Sequence, residues 1–176
     1  MGTRSLTKVL DEEGKEILCL YRQFDGYPEG HGADLKEFLK GMKLTNGYST
    51  DQKEDGGWAN GMGCLAGQLV AWFKTAPEGK FIGKSGAYKQ VPTHPKRGRI
   101  INSIYLYPPK TTDCGEEFIY EVSSVCHHKR PKKEIPNGRD AIINLKVIEC
   151  YKGTTIYDGP ADKFDIKKAQ KKVDAL

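Results

Sequence analysis

Apolar residues near the N-terminus fall into two short runs, Leu-Thr-Lys-Val-Leu within residues 5–10 and Ile-Leu-Cys-Leu-Tyr within 16–24. They flank Glu13-Gly14-Lys15, and glycine there supplies a turn, so the pair predicts a β-hairpin. The pattern then changes period. Leu35, Phe38, Leu39 and Met42 recur at i, i+3, i+4 and i+7, which predicts a short amphipathic helix with Lys36, Glu37, Lys40 and Lys43 outside its apolar stripe. Residues 45–63 are polar, glycine-rich and aperiodic, and read as a long loop. A second helix is predicted over 64–76, with Leu65, Leu69, Trp72 and Phe73 on one side and Ala66 and Val70 widening the stripe; Pro77 and Gly79 end it. Alternation returns over 100–107, 118–125, 142–151 and 154–157, the last two joined across Lys152-Gly153, as expected of antiparallel hairpins with one buried face. Asp158-Gly159-Pro160 is expected to open a final lysine-rich helix, with proline in the first turn. Strands, two helices, strands and a helix in that order predict an α+β fold, an antiparallel sheet carrying about three helices.

Length and composition fit that picture. The 176 residues suit a single α+β domain spanning 1–176, large enough to bury a core without disulfides. No apolar run approaches the roughly 20 residues of a membrane span, and Met-Gly-Thr-Arg-Ser-Leu has no apolar signal segment. Five cysteines, odd in number and without a CxxC, read as free thiols in a cytosol-like compartment. The net charge of +5 is mild, but basic residues concentrate at 84–99 and 129–139, both rich in proline or glycine and so read as loops.

Two glycine-rich segments stand out. Asp25-Gly-Tyr-Pro-Glu-Gly-His-Gly32 and Gly56-Gly-Trp-Ala-Asn-Gly-Met-Gly63 each carry an aromatic residue and end in Gly-x-Gly before a predicted helix. Glycine lets a backbone approach a ligand and present successive N–H groups. A helix N-terminus adds unpaired donors and partial positive charge, which suits an anion. Asp25, Gly26, Tyr27, Gly30, His31, Gly32, Trp58, Asn60, Gly61 and Gly63 are therefore the candidate ligand-binding residues, Tyr27 and Trp58 as stacking surfaces and His31 as a partly exposed group titrating near neutrality. The competing reading is structural: glycines serving turns and helix entry around core aromatics. Neither segment is a Walker A loop or a GxGxxG fingerprint.

The run Tyr21-Arg-Gln-Phe-Asp-Gly-Tyr-Pro-Glu-Gly-His-Gly32, with Asn60-Gly-Met-Gly-Cys64 downstream, resembles small proteins encoded by phages and other viruses, over about the first 75 residues. The resemblance implies no known activity. It implies an accessory protein, such as a host-takeover or anti-defence factor, acting by binding in a host cytoplasm.

Two other chemistries are open at this level. Cys64, at a predicted helix start, is a candidate nucleophile with His31, His94 or His127 as base, in an order similar to papain-like hydrolases; no tryptophan follows Cys64 and no residue is evidently placed to orient a histidine. General nucleic-acid binding would use Lys96, Arg97, Arg99, Lys129, Arg130, Lys132 and Lys133, the C-terminal lysines and Tyr88. A metal is not expected, since Cys126 and His127 point to opposite faces of a strand. The leading expectation is a binding protein without a cofactor, engaging an anionic, nucleotide-like ligand or an acidic protein surface through the two glycine-rich loops.

Overall fold

The computed structural model describes residues 2–45, 57–76, 93–94, 98–100, 103–126 and 141–176. Strands β1 (Ser5–Leu10) and β2 (Glu16–Arg22) form the expected hairpin. Its turn is held by the Asp11 carboxylate, which accepts the Glu13 and Lys15 main-chain N–H groups at 2.9 and 2.8 Å, with Gly14 at φ +82°. After a single π-helical turn at Pro28–Gly32 comes helix α1 (Ala33–Leu39). Strands β3 (Lys43–Thr45) and β4 (Trp58–Asn60) pair in parallel and lead into helix α2 (Gly61–Lys74).

Beyond α2, β5 (Thr75–Ala76), β6 (Thr93–His94) and β7 (Gly98–Ile100) make a small separate sheet. β8 (Ile104–Tyr107), β9 (Phe118–Cys126), β10 (Ala141–Glu149) and β11 (Thr154–Pro160) join the hairpin in a six-stranded sheet of order β11-β10-β9-β1-β2-β8. Helix α3 (Ile166–Asp174) closes the chain. The fold is α+β, with a mostly antiparallel sheet and three helices.

Several expectations change in detail: strands β3 and β4 lie where the periodicity predicts a helix end and a loop, and α2 begins at Gly61 and ends at Lys74, rather than spanning 64–76. The segment read as one strand over 100–107 divides between β7, in the small sheet, and β8, at an edge of the large one. The centre of the large sheet is parallel, since β1 lies beside β9 with Thr7 opposite Tyr120. The last helix does not open at Pro160. β11 runs to that residue, a 3-10 turn follows at Ala161–Lys163, and Asp165 caps α3 by accepting the Lys168 N–H at 3.0 Å.

Period-two alternation gives the sheet two chemically distinct faces. Val9, Leu20, Phe118, Tyr120, Val122, Ile143, Leu145 and Val147 are buried on the face that meets Leu35, Phe38, Leu65, Leu69 and Phe73 of the helices. Ser5, Thr7 and Arg22 share that buried face, because they fall in the same register as Val9 and Leu20. On the opposite face a smaller cluster of Leu6, Cys19 and Tyr21 packs with Cys114 and Ile119. Among the described residues, no helix is long and apolar enough to cross a membrane.

Candidate functional site

The loop at residues 25–32 folds inward. Asp25 adopts φ +56°, a left-handed conformation that aspartate tolerates better than most residues. Its carbonyl then accepts the His31 N–H at 2.7 Å. A side chain at Gly30 would collide with that same carbonyl, and one at Gly26 would come within 2.7 Å of the Arg4 main chain. Gly32 lies against Tyr120 and Phe164. These glycines are present because backbone and aromatic rings approach them closely, which is the structural reading of the motif.

His31 is fully buried, not partly exposed as its glycine neighbours suggested. Its ring sits between Phe73 and Tyr120, with centroids 4.8 and 4.9 Å away. Arg22, itself buried, places Nη1 3.2 Å from His31 Nδ1 and 2.6 Å from Asp34 Oδ2. A guanidinium only donates, so Nδ1 accepts, the imidazole is the Nε2–H tautomer, and Nε2 donates to Thr7 Oγ1 at 2.5 Å. Burial, and secondarily the Arg22 charge, hold the His31 pKa well below the ordinary histidine value. Burial likewise pushes Asp34 up, against the pull of Arg22. This network locks the glycine-rich loop to the sheet and keeps His31 neutral. It does not present His31 to a ligand.

The second loop lies at the other end of α2. Trp58 and Asn60 are on β4, with Trp58 half-buried and its carbonyl accepting from Gln68 Nε2 at 2.9 Å. Gly61 adopts φ +71°, and Gly63 faces open space. The Met62 N–H, a donor that an anionic ligand would have taken, is held at 2.9 Å by Glu12 Oε1 from the β1–β2 turn. An internal carboxylate thus fills the anion position at the start of α2. His31 packs on Phe73, eleven residues and about 16 Å of helix beyond Met62. The two loops therefore do not form one cradle.

The same geometry separates Cys64 from His31. Cys64 is in the first turn of α2, where its Sγ accepts from Gln68 Nε2 at 3.5 Å. Of the other candidate bases, His127 lies outside the described residues, and His94 is placed only as a position on β6. Lys96, Arg97, Lys129, Arg130, Lys132, Lys133 and Tyr88 also lie outside the described residues, while Arg99 is on β7. Among the described residues, no three His, Cys, Asp or Glu side chains gather to hold a metal ion.

Among the described residues, Tyr27 of the first loop reaches a cleft. This depression of about 410 Å³ is lined by Tyr27, Phe118, Tyr151, Val173 and Leu176 together with the polar residues Thr3, Glu117, Glu149, Lys152 and Gln170. The volume lies within the range of small-molecule sites. Tyr151 stands at the β10–β11 turn, where Gly153 takes φ +63°, and is 79% exposed. Glu149 holds that turn, its two carboxylate oxygens accepting the Tyr151 and Lys152 N–H groups at 2.8 and 3.0 Å. Gln170 is fixed by the Glu29 N–H at 3.4 Å and by its own bond to Asp174 at 2.9 Å. Lys167 and Lys171, both exposed, lie about 60° and 100° from Gln170 round α3, both on the side away from Val173. Burial pushes the Tyr27 phenol up, aided by the neighbouring Asp25 carboxylate, so the ring stays neutral at physiological pH.

Sequence reading missed this cleft because residues near 3, 27, 117, 150 and 170 meet only through the fold. One signal was available: a tyrosine beside a Lys-Gly turn places an aromatic ring at an exposed tip. Comparison of the chain with protein-family models, with curated protein sequences and with solved structures finds no match.

Proposed function

We propose that the protein binds nucleotide units, as single-stranded nucleic acid or as free nucleotides, at the cleft between the β10–β11 turn and α3. The observation that carries this reading is a cleft lined by Tyr27, Tyr151 and Lys152, with Lys167 further round the α3 surface. Tyr151 and Tyr27 offer ring faces to a base, while Lys167 and Lys171 offer charge to its phosphates. The anionic, nucleotide-like ligand expected from the glycine-rich loops is thereby retained, but its place moves. The first loop contributes Tyr27 and, through the His31–Arg22–Asp34 network, the rigidity that holds it. The second contributes nothing to this cleft, since Glu12 already occupies the donor that would have served it. An accessory protein that acts on viral or host nucleic acid in a host cytoplasm fits this reading.

Fluorescence anisotropy with a labelled mixed-sequence single-stranded 12-mer tests it. Affinity should fall with salt, and the double variant Lys167→Glu/Lys171→Glu should weaken binding and reduce the slope of log K against log[salt] by about 1.4, two contacts at roughly 0.7 each. Tyr151→Ala should weaken binding by about 1–3 kcal/mol without changing that slope. Competition with mononucleotides separates the two sources of ligand: a free-nucleotide site is emptied by them at low concentration, and a strand-binding site is not. Affinity unchanged in both variants would contradict the proposal.

A further inference from the structure

Not every donor of Arg22 is used. A guanidinium carries five N–H groups. Nε donates to the Phe24 carbonyl at 2.7 Å, and Nη1 serves His31 Nδ1 and Asp34 Oδ2. Nη2, in a side chain only 1% exposed, meets no acceptor among the described residues. Ser5 Oγ and Asp25 Oδ2 are buried in the same condition. Burying a polar atom without a partner is costly, more so for a charged group, and native structures rarely do it.

The three residues are neighbours. Ser5 on β1 lies directly opposite Arg22 on β2, and both side chains point to the buried face of the sheet. Gly26 passes immediately over Ser5, since a Cβ there would come within 2.9 Å of the Ser5 Cβ. Asp25 is the adjoining residue, and its Oδ1 accepts from the Tyr27 hydroxyl at 3.5 Å. Its charge is felt at Asp34, the carboxylate paired with Arg22. Nη2 only donates, an ionised carboxylate oxygen only accepts, and a hydroxyl does either. Complementary groups this near, yet without a direct bond, are arranged for a small molecule between them.

We infer that an ordered water is built into the fold beneath the first glycine-rich loop, accepting from Arg22 Nη2 and donating to Asp25 Oδ2 and Ser5 Oγ. About three hydrogen bonds is the usual complement of a buried water. Water suits this position better than an ion. An anion would meet the Asp25 and Asp34 carboxylates, and a cation would meet the Arg22 guanidinium. The bridge gives the loop a second tie to the sheet beside the one through His31. It acts at Asp25, the residue whose φ of +56° turns the chain inward. It stands independently of any ligand in the Tyr151 cleft.

A crystal structure of the full chain, at a resolution that shows ordered solvent, tests the inference. It predicts a water peak within hydrogen-bond distance of both Arg22 Nη2 and Asp25 Oδ2, as well ordered as the surrounding main chain. A direct bond between Arg22 and Asp25 in place of the peak overturns the inference, and so does the absence of any peak. A peak that touches Ser5 alone, leaving Arg22 Nη2 unpaired, overturns it as well. The Ser5→Ala structure gives a second reading: the water keeps its two charged partners there, so the peak should remain, and its loss would show that the two charged groups do not hold it.

Discussion

The burial of His31 makes the stability of the protein depend on pH in a defined direction. In the unfolded chain a histidine titrates near 6.5. In the fold, burial and the adjacent Arg22 hold His31 well below that value, so it stays neutral while the unfolded chain takes up a proton. Below pH 6.5 the unfolded state therefore binds more protons, and unfolding free energy falls by about 1.4 kcal/mol per pH unit from this group. Each pH unit over which only the unfolded chain is protonated removes a noticeable part of a typical domain's roughly 5–15 kcal/mol. Above pH 6.5 the contribution is fully present and flat. Asp34 works in the opposite sense, because its folded value is raised and its contribution grows as pH falls. Asp34 is retained in the variant His31→Gln, so the difference between the pH profiles of variant and natural chain isolates His31 from it. The assay is urea denaturation followed by tryptophan fluorescence, on the natural chain and on His31→Gln. The glutamine keeps an acceptor for Arg22 and a donor for Thr7 but does not titrate. The other three histidines are common to both proteins, so the difference in pH profile belongs to His31. Parallel profiles for the two proteins would refute the reasoning.

Other predictions concern the loop and the helix cap. Gly30→Ala forces a methyl group onto the Asp25 carbonyl and should cost about 1–3 kcal/mol in chemical denaturation, whereas Gly63→Ala, at an open helical position, should be neutral or stabilising by up to about 1 kcal/mol. Glu12→Ala frees the Met62 N–H and should lower stability by about 1 kcal/mol. Glu12→Ala is also the direct test of internal anion capping: added phosphate or sulfate should restore part of the lost melting temperature in the variant more than in the natural chain, and an equal response in both would contradict it.

Much of the fold was legible because local rules and tertiary structure agree. Asp11 and Gly14 specify the first hairpin turn, and alternation through Leu145, Val147 and Glu149 marks the buried face of β10. Helices α1 and α2 follow from 3.6-residue apolar stripes. The parallel pairing of β1 with β9 left no local signal, since it joins residues more than a hundred positions apart. Pro160 misled because proline suits a first helical turn and a strand end alike, while Asp165, the actual cap, was the better sign. His31 misled for a different reason. Glycine neighbours normally mark an exposed loop, but here they let the backbone pass so close to the sheet that the imidazole enters the core. The register of Leu18, Leu20 and Arg22 already put the arginine on the buried face, where it needed a partner such as Asp34.

The central claim is that bases enter the cleft beside Tyr151. Photocrosslinking tests it most directly. An oligo-dC strand carrying 5-iodo-deoxycytidine is irradiated with the protein, and the attached peptides are identified by mass spectrometry. The account predicts crosslinks at Tyr151 and Tyr27, lost when unlabelled strand is added in excess. Crosslinks confined to residues 57–63, to 84–99 or to 129–139 would contradict it.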